Sequence, residues 1–321
     1  MRLGHNPAKF VDQVHNPQRI TVAVLTYVPF LSGYFATYLE VVKACLASLW
    51  EHTDLPYDLL VFDNGSCPEL LDFLQDSQRA GRIQYLISSK HNLGKGGAWN
   101  VIFQAAPGDV IAYADSDALF YPGWLSRSME ILETFPNVGM VTSRPFRTRE
   151  HLTTATVAWA ESEIEARLER GSFIPWERFR EFDMSLGQSE AEVQQRYGTT
   201  HDLRVTYKGL IAHIGASHWQ FLARKQVLQK FLPFEMERPM GQVLTLDERL
   251  NAAGYLRLMT PEPLVMNMSN SVIPVPQNGS GSGSDASSPN GLKSRILRLK
   301  PVKRSLLWFY DRIFNLYYGE G

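Results

Sequence analysis

Two aspartates one residue apart, Asp115 and Asp117, close the run VIAYADSDA behind a stretch of apolar residues. At the end of a strand such a pair can share one hard divalent cation with phosphate oxygens, because Mg²⁺ takes oxygen ligands and keeps substrate phosphates in its shell. The cation would neutralise charge on a departing diphosphate. Short acidic triplets also arise by chance in loops, so the pair needs context. Asp63, at the end of VFDNGS, can accept a hydrogen bond from the imide N–H of uracil or thymine, although DNGS equally invites an Asx turn. Gly94, Gly96 and Gly97 in HNLGKGGAWN allow backbone conformations or a close approach that a Cβ would obstruct. Lys95 among them either brings a positive charge to a diphosphate or stands in solvent.

These residues must be positioned by the elements that precede them. ITVAVLTYV and YDLLVFDNGS are apolar runs of strand length, suited to burial on both faces of a parallel sheet. Apolar Leu39, Val42, Leu46 and Leu49 recur at helical spacing between them. IQYLIS and DVIAYADSDA continue the alternation, which implies right-handed crossovers and a doubly wound sheet. Ligands of such sheets bind at the carboxyl ends of the strands, where Asp63, Asn92 and Asp115 fall. Farther on, 154–197 is polar and helix-prone, with WAESEIEARLERG its clearest helical piece, and LIAHIGASHWQFLARKQVLQKF reads as a strand or loop passing into a helix. LTLDERLNAAGY reads as a short helix, with Thr245 and Glu248 at the spacing of a capping box and Gly254 at its stop.

VFDNGS, HNLGKGGAWN and YADSDALFYPGWL, in this order and at these spacings, resemble the family 2 glycosyltransferases of the GT-A fold. The resemblance is strong over Ile20 to Arg147 and looser over Gly209 to Asn270. It implies a Rossmann-like α/β domain with a mixed, mainly parallel sheet flanked by helices. It also implies transfer of a sugar from an NDP-sugar to a hydroxyl acceptor, a saccharide or lipid-linked glycan, with Mn²⁺ or Mg²⁺ as cofactor. Thr26, Asp63, Asn92, Gly94, Lys95, Asn100, Asp115 and Ser116 would hold the donor, and Asp115 and Asp117 the metal. Asp63 favours UDP or dTDP and leaves GDP open.

Two departures from the family pattern bear on the chemistry. Inverting relatives carry a Glu-Asp pair before an RLxxAGY-like helix; here RLNAAGY is present, but the pair falls on Gln242 and Val243. Asp247 is the nearest candidate base, or else an acidic residue complementing the helix dipole. Glu248 is the second carboxylate there, with helix capping as its other reading. Retaining enzymes need no such base, so inversion is the expectation and retention stays open. The second departure is Asn267 in VMNMSN, where many relatives place a histidine. His213 and His218 flank IGAS and can face the acceptor or serve packing; Trp219 can stack on a sugar or belong to the core. Arg144 and Arg147 can pair with phosphate or lie at the surface.

Composition sets the remaining bounds. The 321 residues are 44% hydrophobic and 20% charged, ordinary for a globular chain. A net charge of -1 argues against general nucleic-acid binding, which needs many cations to displace counterions. Cys45 and Cys67 form no metal or disulfide pattern, and with no signal peptide or membrane-spanning run visible a cytoplasmic setting is the expectation. GKGGAW follows the third strand and lacks the third glycine of GxGxxG, and GxxxxGK[ST] is missing, so dehydrogenase and P-loop readings fail. A sugar nucleotidyltransferase would need a glycine-rich, basic turn where TYVPFLSGYF stands. A catalytically silent nucleotide- or carbohydrate-binding module is the rival of another class.

The expected organisation is an N-terminal extension over 1–19, a GT-A domain over 20–273 with a donor half to 147 and an acceptor half from 148, a Gly/Ser linker over 274–291, and a basic aromatic helix over 292–321. That last segment has seven lysines and arginines against Asp311 and Glu320. It suits peripheral contact with the inner face of a membrane, or packing on the domain or on a second subunit in a homo-oligomer.

Overall fold

Unbroken apolar runs build the centre of the sheet. In the computed structural model, which describes residues 4–11, 14–236 and 243–272 within the unit Met1–Ile273, β1 (Ile20–Thr26) and β2 (Asp58–Asp63) are buried at every position. They alternate with α1 (Tyr38–His52), α2 (Pro68–Arg79), β3 (Tyr85–Ser88), α3 (Gly94–Ala105), β4 (Val110–Asp115), β5 (Ala118–Phe120), α4 (Trp124–Thr134) and β6 (Val138–Thr142). The second half contributes α5 (Thr154–Ser162), β7 (Ala166–Gly171), α6 (Trp176–Ser185), α7 (Glu190–Thr199), β8 (Asp202–Tyr207) and β9 (Leu210–Ile214). It ends with β10 (Gln220–Arg224), α8 (Lys225–Gln229), α9 (Val243–Ala252), β11 (Leu256–Met259) and β12 (Val265–Asn267). The linker and basic tail expected from 274 onward lie outside the described residues, as does Gln242. No described helix is long and apolar enough to cross a membrane.

Ten strands form one sheet in the order β3-β2-β1-β4-β10-β6-β11-β9-β8-β7. β3, β2, β1 and β4 run parallel, β10 is antiparallel between β4 and β6, and β11 is parallel to β6. The far edge of β9, β8 and β7 is antiparallel. This is the expected α/β class, a mixed sheet with helices on both faces. Period-2 alternation splits β1 between two cores. Val22 and Val24 meet Leu46, Leu74 and Trp124 on one side, and Ala23 and Leu25 meet the cluster of Trp99, Phe103 and Leu246 on the other.

Three expectations change. ARLERG is β7, not helix: α5 ends at Ser162, and Ala166 to Gly171 pair antiparallel with β8, where Ala166 and Leu168 pack on the core while Arg167 stays exposed. Pairing at a sheet edge outweighs the helix propensity of Glu, Arg and Leu. LIAHIGASHWQFLARKQVLQKF divides into β9, a tight turn, β10 and the short α8. Thr245 lies inside α9, which already includes Val243 and Leu244, so it makes no capping box with Glu248; Gly254 does stop the helix, at φ +77°.

Arg144 and Arg147 are structural and buried. Arg144 donates to the carbonyls of Val265 and Arg178 and pairs with Glu181. Arg147 pairs with Asp202 at 2.5 Å and donates to the carbonyls of Tyr197 and Thr200, pinning the small core of Ile174, Phe179 and Val193 to the main domain.

Arg257 of β11 has 0% exposure. Its guanidinium donates to the carbonyls of Leu152 (2.7 Å) and Ala216 (2.6 Å) and to Asp247 of α9 (2.7 Å). The loop it grips begins at Gly215, whose φ of +133° only glycine tolerates and where a Cβ would come within 2.0 Å of the Thr148 hydroxyl. Arg257→Met strands Asp247 inside the protein, and removal of one partner of a buried pair costs about 3–5 kcal/mol; urea denaturation of this variant is expected to show a loss of that order.

His213 gives a second test. Burial holds its imidazole down to about 4 against an ordinary 6.5. Between those values the unfolded chain takes up a proton that the folded chain refuses, so stability falls as pH drops through that window. Thermal melts of His213→Asn between pH 7 and pH 4 are expected to lose this portion of the acid destabilisation.

Candidate active site

The carboxyl ends of β1 and β4 open on a cavity of about 370 Å³. Asn92, Gly94, Lys95, Asp115, Ser116 and Asp117, all singled out in the sequence, line it together with Leu25, Tyr27, Tyr34, Phe35, Tyr38 and Asn64. A larger hollow of about 510 Å³ lies at the amino end of β4, between Arg19, Asp109 and Arg224, away from the end where sheets of this kind bind ligands.

The two aspartates are held differently. Asp115 Oδ2 accepts from Lys95 Nζ at 2.6 Å and Oδ1 from the Tyr113 hydroxyl at 2.6 Å. Lys95 is therefore neither solvated nor free: it is buried, with its ammonium over the Trp99 and Tyr113 rings. Asp117 has only a weak partner, the Asn267 amide at 3.3 Å on Oδ2, and its buried Oδ1 has none among the described residues. Burial, and then the charge of Asp115, push its carboxyl up to about 7. An orphaned carboxylate oxygen beside a second carboxylate is a donor set that fits a hard divalent cation. No third His, Cys, Asp or Glu joins them among the described residues. Asn267 spends its own Oδ1 on the Ser269 N–H. Pairing of β12 with β5, and a bond from Met268 N–H to the Asp117 carbonyl at 2.8 Å, bring this segment to the site.

The glycine-rich run is the start of α3, and Gly94 at φ +67° makes the entry. Asn64 fixes it. Its amide donates to Asn92 Oδ1 (2.9 Å) and its Oδ1 accepts from Leu93 N–H (2.8 Å), while Asn92 accepts from Gly94 N–H. Asn64 went unnoticed beside Asp63, although DNGS contains it. So did the aromatic wall, for which the density of rings in TYVPFLSGYFATY was the available signal. Tyr38 lies against the acidic pair: burial first, then Asp117 and Asp115, hold its phenol far above the ordinary range.

Several predicted donor residues stand behind the wall. Asp63 is fully buried, accepting from the Thr26 hydroxyl and from the N–H groups of Gly65 and Ser66, so the Asx turn is realised. Thr26 is equally buried. Asn100 exchanges hydrogen bonds with the backbone of Phe234 and ties α3 to the segment after α8.

On the acceptor side, β10 meets β4 so that Asp115 N–H donates to the Trp219 carbonyl at 2.8 Å. The Trp219 ring packs on Phe182 and is 7% exposed, which makes it core. Glu248 is exposed on α9. Asp247 is buried, and both its oxygens are spent, one on Arg257 and the other on His218 Nδ1 at 2.7 Å. A carboxylate so enclosed cannot itself reach an acceptor hydroxyl. The sequence named both His218 and Asp247 but gave no sign that they touch.

Comparisons with known proteins bear on this arrangement. An uncharacterized glycosyltransferase of Nostoc sp. is 31% identical over 113 residues, 35% of this chain, and the match spans about a third, 34%, of that relative's length. Among solved structures, the mannosyltransferase PcManGT from Pyrobaculum calidifontis, in complex with GDP-Man and Mn²⁺, is 17% identical, with 78% of this chain and 55% of that chain covered and a TM-score of 0.45. TarS 1–349 of S. aureus in complex with UDP-GlcNAc is 13% identical, with 80% and 62% covered and a TM-score of 0.46. The profile of glycosyl transferase family 2 matches residues 34–191, from the aromatic wall through the acidic pair and into the acceptor half. Through this segment, just under half of its length, the chain is similar to glycosyl transferase family 2.

Proposed function

We propose that the protein transfers a sugar from a nucleoside diphosphate sugar to a hydroxyl acceptor, with a divalent cation held by Asp115 and Asp117. The observation that carries this reading is the single cavity in which an orphaned Asp117 oxygen, the Asp115–Lys95 pair and the amino end of α3 converge beneath an aromatic wall. Helix amino ends and lysine ammonium groups favour phosphate. When bound, the cation would neutralise the charge that develops on the departing diphosphate.

The chain's own residues supply the rest. Asn64 and Asn92 hold α3 so that its first turn faces the diphosphate, and Lys95 adds positive charge beside it. Tyr27, Tyr34 and Phe35 offer ring faces to the nucleobase. Asp63 supports that wall from behind through Thr26 and the 64–66 turn. With both oxygens of Asp63 taken inside the fold, the base preference drawn from it loses its contact, and UDP, dTDP and GDP sugars stand as the donor candidates. The basic aromatic segment 292–321 supports an acceptor met at an anionic membrane surface.

Binding is tested before turnover. A panel of nucleoside diphosphates and their sugars, with and without Mn²⁺, is expected to raise the melting temperature for one nucleotide class only when metal is present, since a ligand of the native state at about 100 times its dissociation constant adds about 2.7 kcal/mol. Asp117→Ala is expected to abolish the shift. No response to any nucleotide in the unaltered protein would sink the donor assignment.

A further inference from the structure

His218 sits at the tip of a tight turn, between Ser217 and Gln220, which are bridged to each other. Its neighbour Trp219 receives the N–H of Asp115, so this turn is joined directly to the acidic pair. The imidazole is fixed from the other side. Nδ1 lies 2.7 Å from Asp247 Oδ2, and the other Asp247 oxygen is held by Arg257, which also grips the Ala216 carbonyl two residues before His218. An ionised carboxylate only accepts hydrogen bonds, so Nδ1 carries the proton and Nε2 keeps its lone pair. No described residue takes Nε2, and the side chain is 27% exposed whereas Asp247 is 4% exposed. Of the two, only the histidine can meet an incoming hydroxyl.

We propose that His218 is the proton acceptor of the transfer, with Asp247 and Arg257 as its positioning residues; this rests on the sugar-transfer reading above. The acceptor O–H bond breaks and its proton passes to Nε2. The oxygen forms a bond to the anomeric carbon as the bond from that carbon to the diphosphate breaks, and the electron pair leaves on the nucleoside diphosphate. The imidazolium, steadied by Asp247, then returns its proton to water. Asp247 is thereby moved from base to orienter, a division of labour known wherever a buried carboxylate holds an imidazole in one tautomer.

The test has two arms, both on the full chain. In the first, ¹⁵N-histidine NMR reads the neutral tautomer of His218, assigned by its loss in His218→Gln. The proposal expects the proton on Nδ1, and expects Asp247→Asn to shift that preference; a neutral ring protonated on Nε2 overturns it whether or not any donor binds. In the second, release of nucleoside diphosphate from UDP-glucose, UDP-N-acetylglucosamine and GDP-mannose is followed against pH, with water and then glycerol as acceptor. His218→Gln is expected to lower turnover by about 100-fold or more, with nucleotide binding kept and the acid limb of the pH profile lost. Imidazole in the buffer is expected to restore part of the activity of His218→Ala, which a merely structural histidine would not allow. Unchanged turnover and an unchanged acid limb in His218→Gln overturn the proposal. Failure of nucleotide binding in the unaltered protein overturns the donor reading instead.

Discussion

A guanidinium with no exposure must be surrounded by acceptors, because its charge cannot be neutralised by losing a proton. Arg257 meets two backbone carbonyls and Asp247 through its terminal nitrogens, and only its Nε lacks a partner among the described residues. The loop carrying Ala216 is thereby tied to α9, and His218 is presented where β10 meets β4. Burial of a paired charge adds little net stability over a well-packed apolar substitute. What it supplies is a single arrangement, since any other position of α9 or of the loop leaves a charge unpaired.

The acidic pair follows the opposite logic. Asp115 is neutralised within the fold by Lys95 and Tyr113, whereas Asp117 is buried with one oxygen unmet. Two carboxylates one residue apart repel, and the fold compensates only one of them. The uncompensated one makes the site a receptor for positive charge. The asymmetry arises from the partners each one meets: Asp115 closes β4 beside Tyr113 and Lys95, and Asp117 opens the way into β5 beside Asn267 alone.

The strands were legible because β-branched runs such as ITVAVLT have one stable fate, burial on both faces. The acidic pair and Gly94 were legible because few residue types can gather hard-cation ligands or serve at positive φ. What was not legible is non-local. ARLERG reads as helix until β8 offers it an edge to pair with. Asp63 and Thr26 reach each other rather than the cavity, and the rings of the 27–38 segment carry no motif even though they form much of the wall. His218 and Asp247 are separated by 29 residues and meet only because Arg257, later still, draws both to one place.

The pairing of β12 with β5 sets a condition on assembly. Asp117 and Asn267 are 150 positions apart, yet the Asp117 carbonyl is bonded to Met268 and its carboxylate is covered by Asn267. Contacts of such separation bear the full entropy of closing a long loop and form late. During synthesis the β1–β4 half can pair from local crossovers alone, but its acidic end stays uncovered until the chain has passed residue 268. The acidic pair is thus a marker of completion: it reaches its final form only in a chain whose two halves have closed on each other.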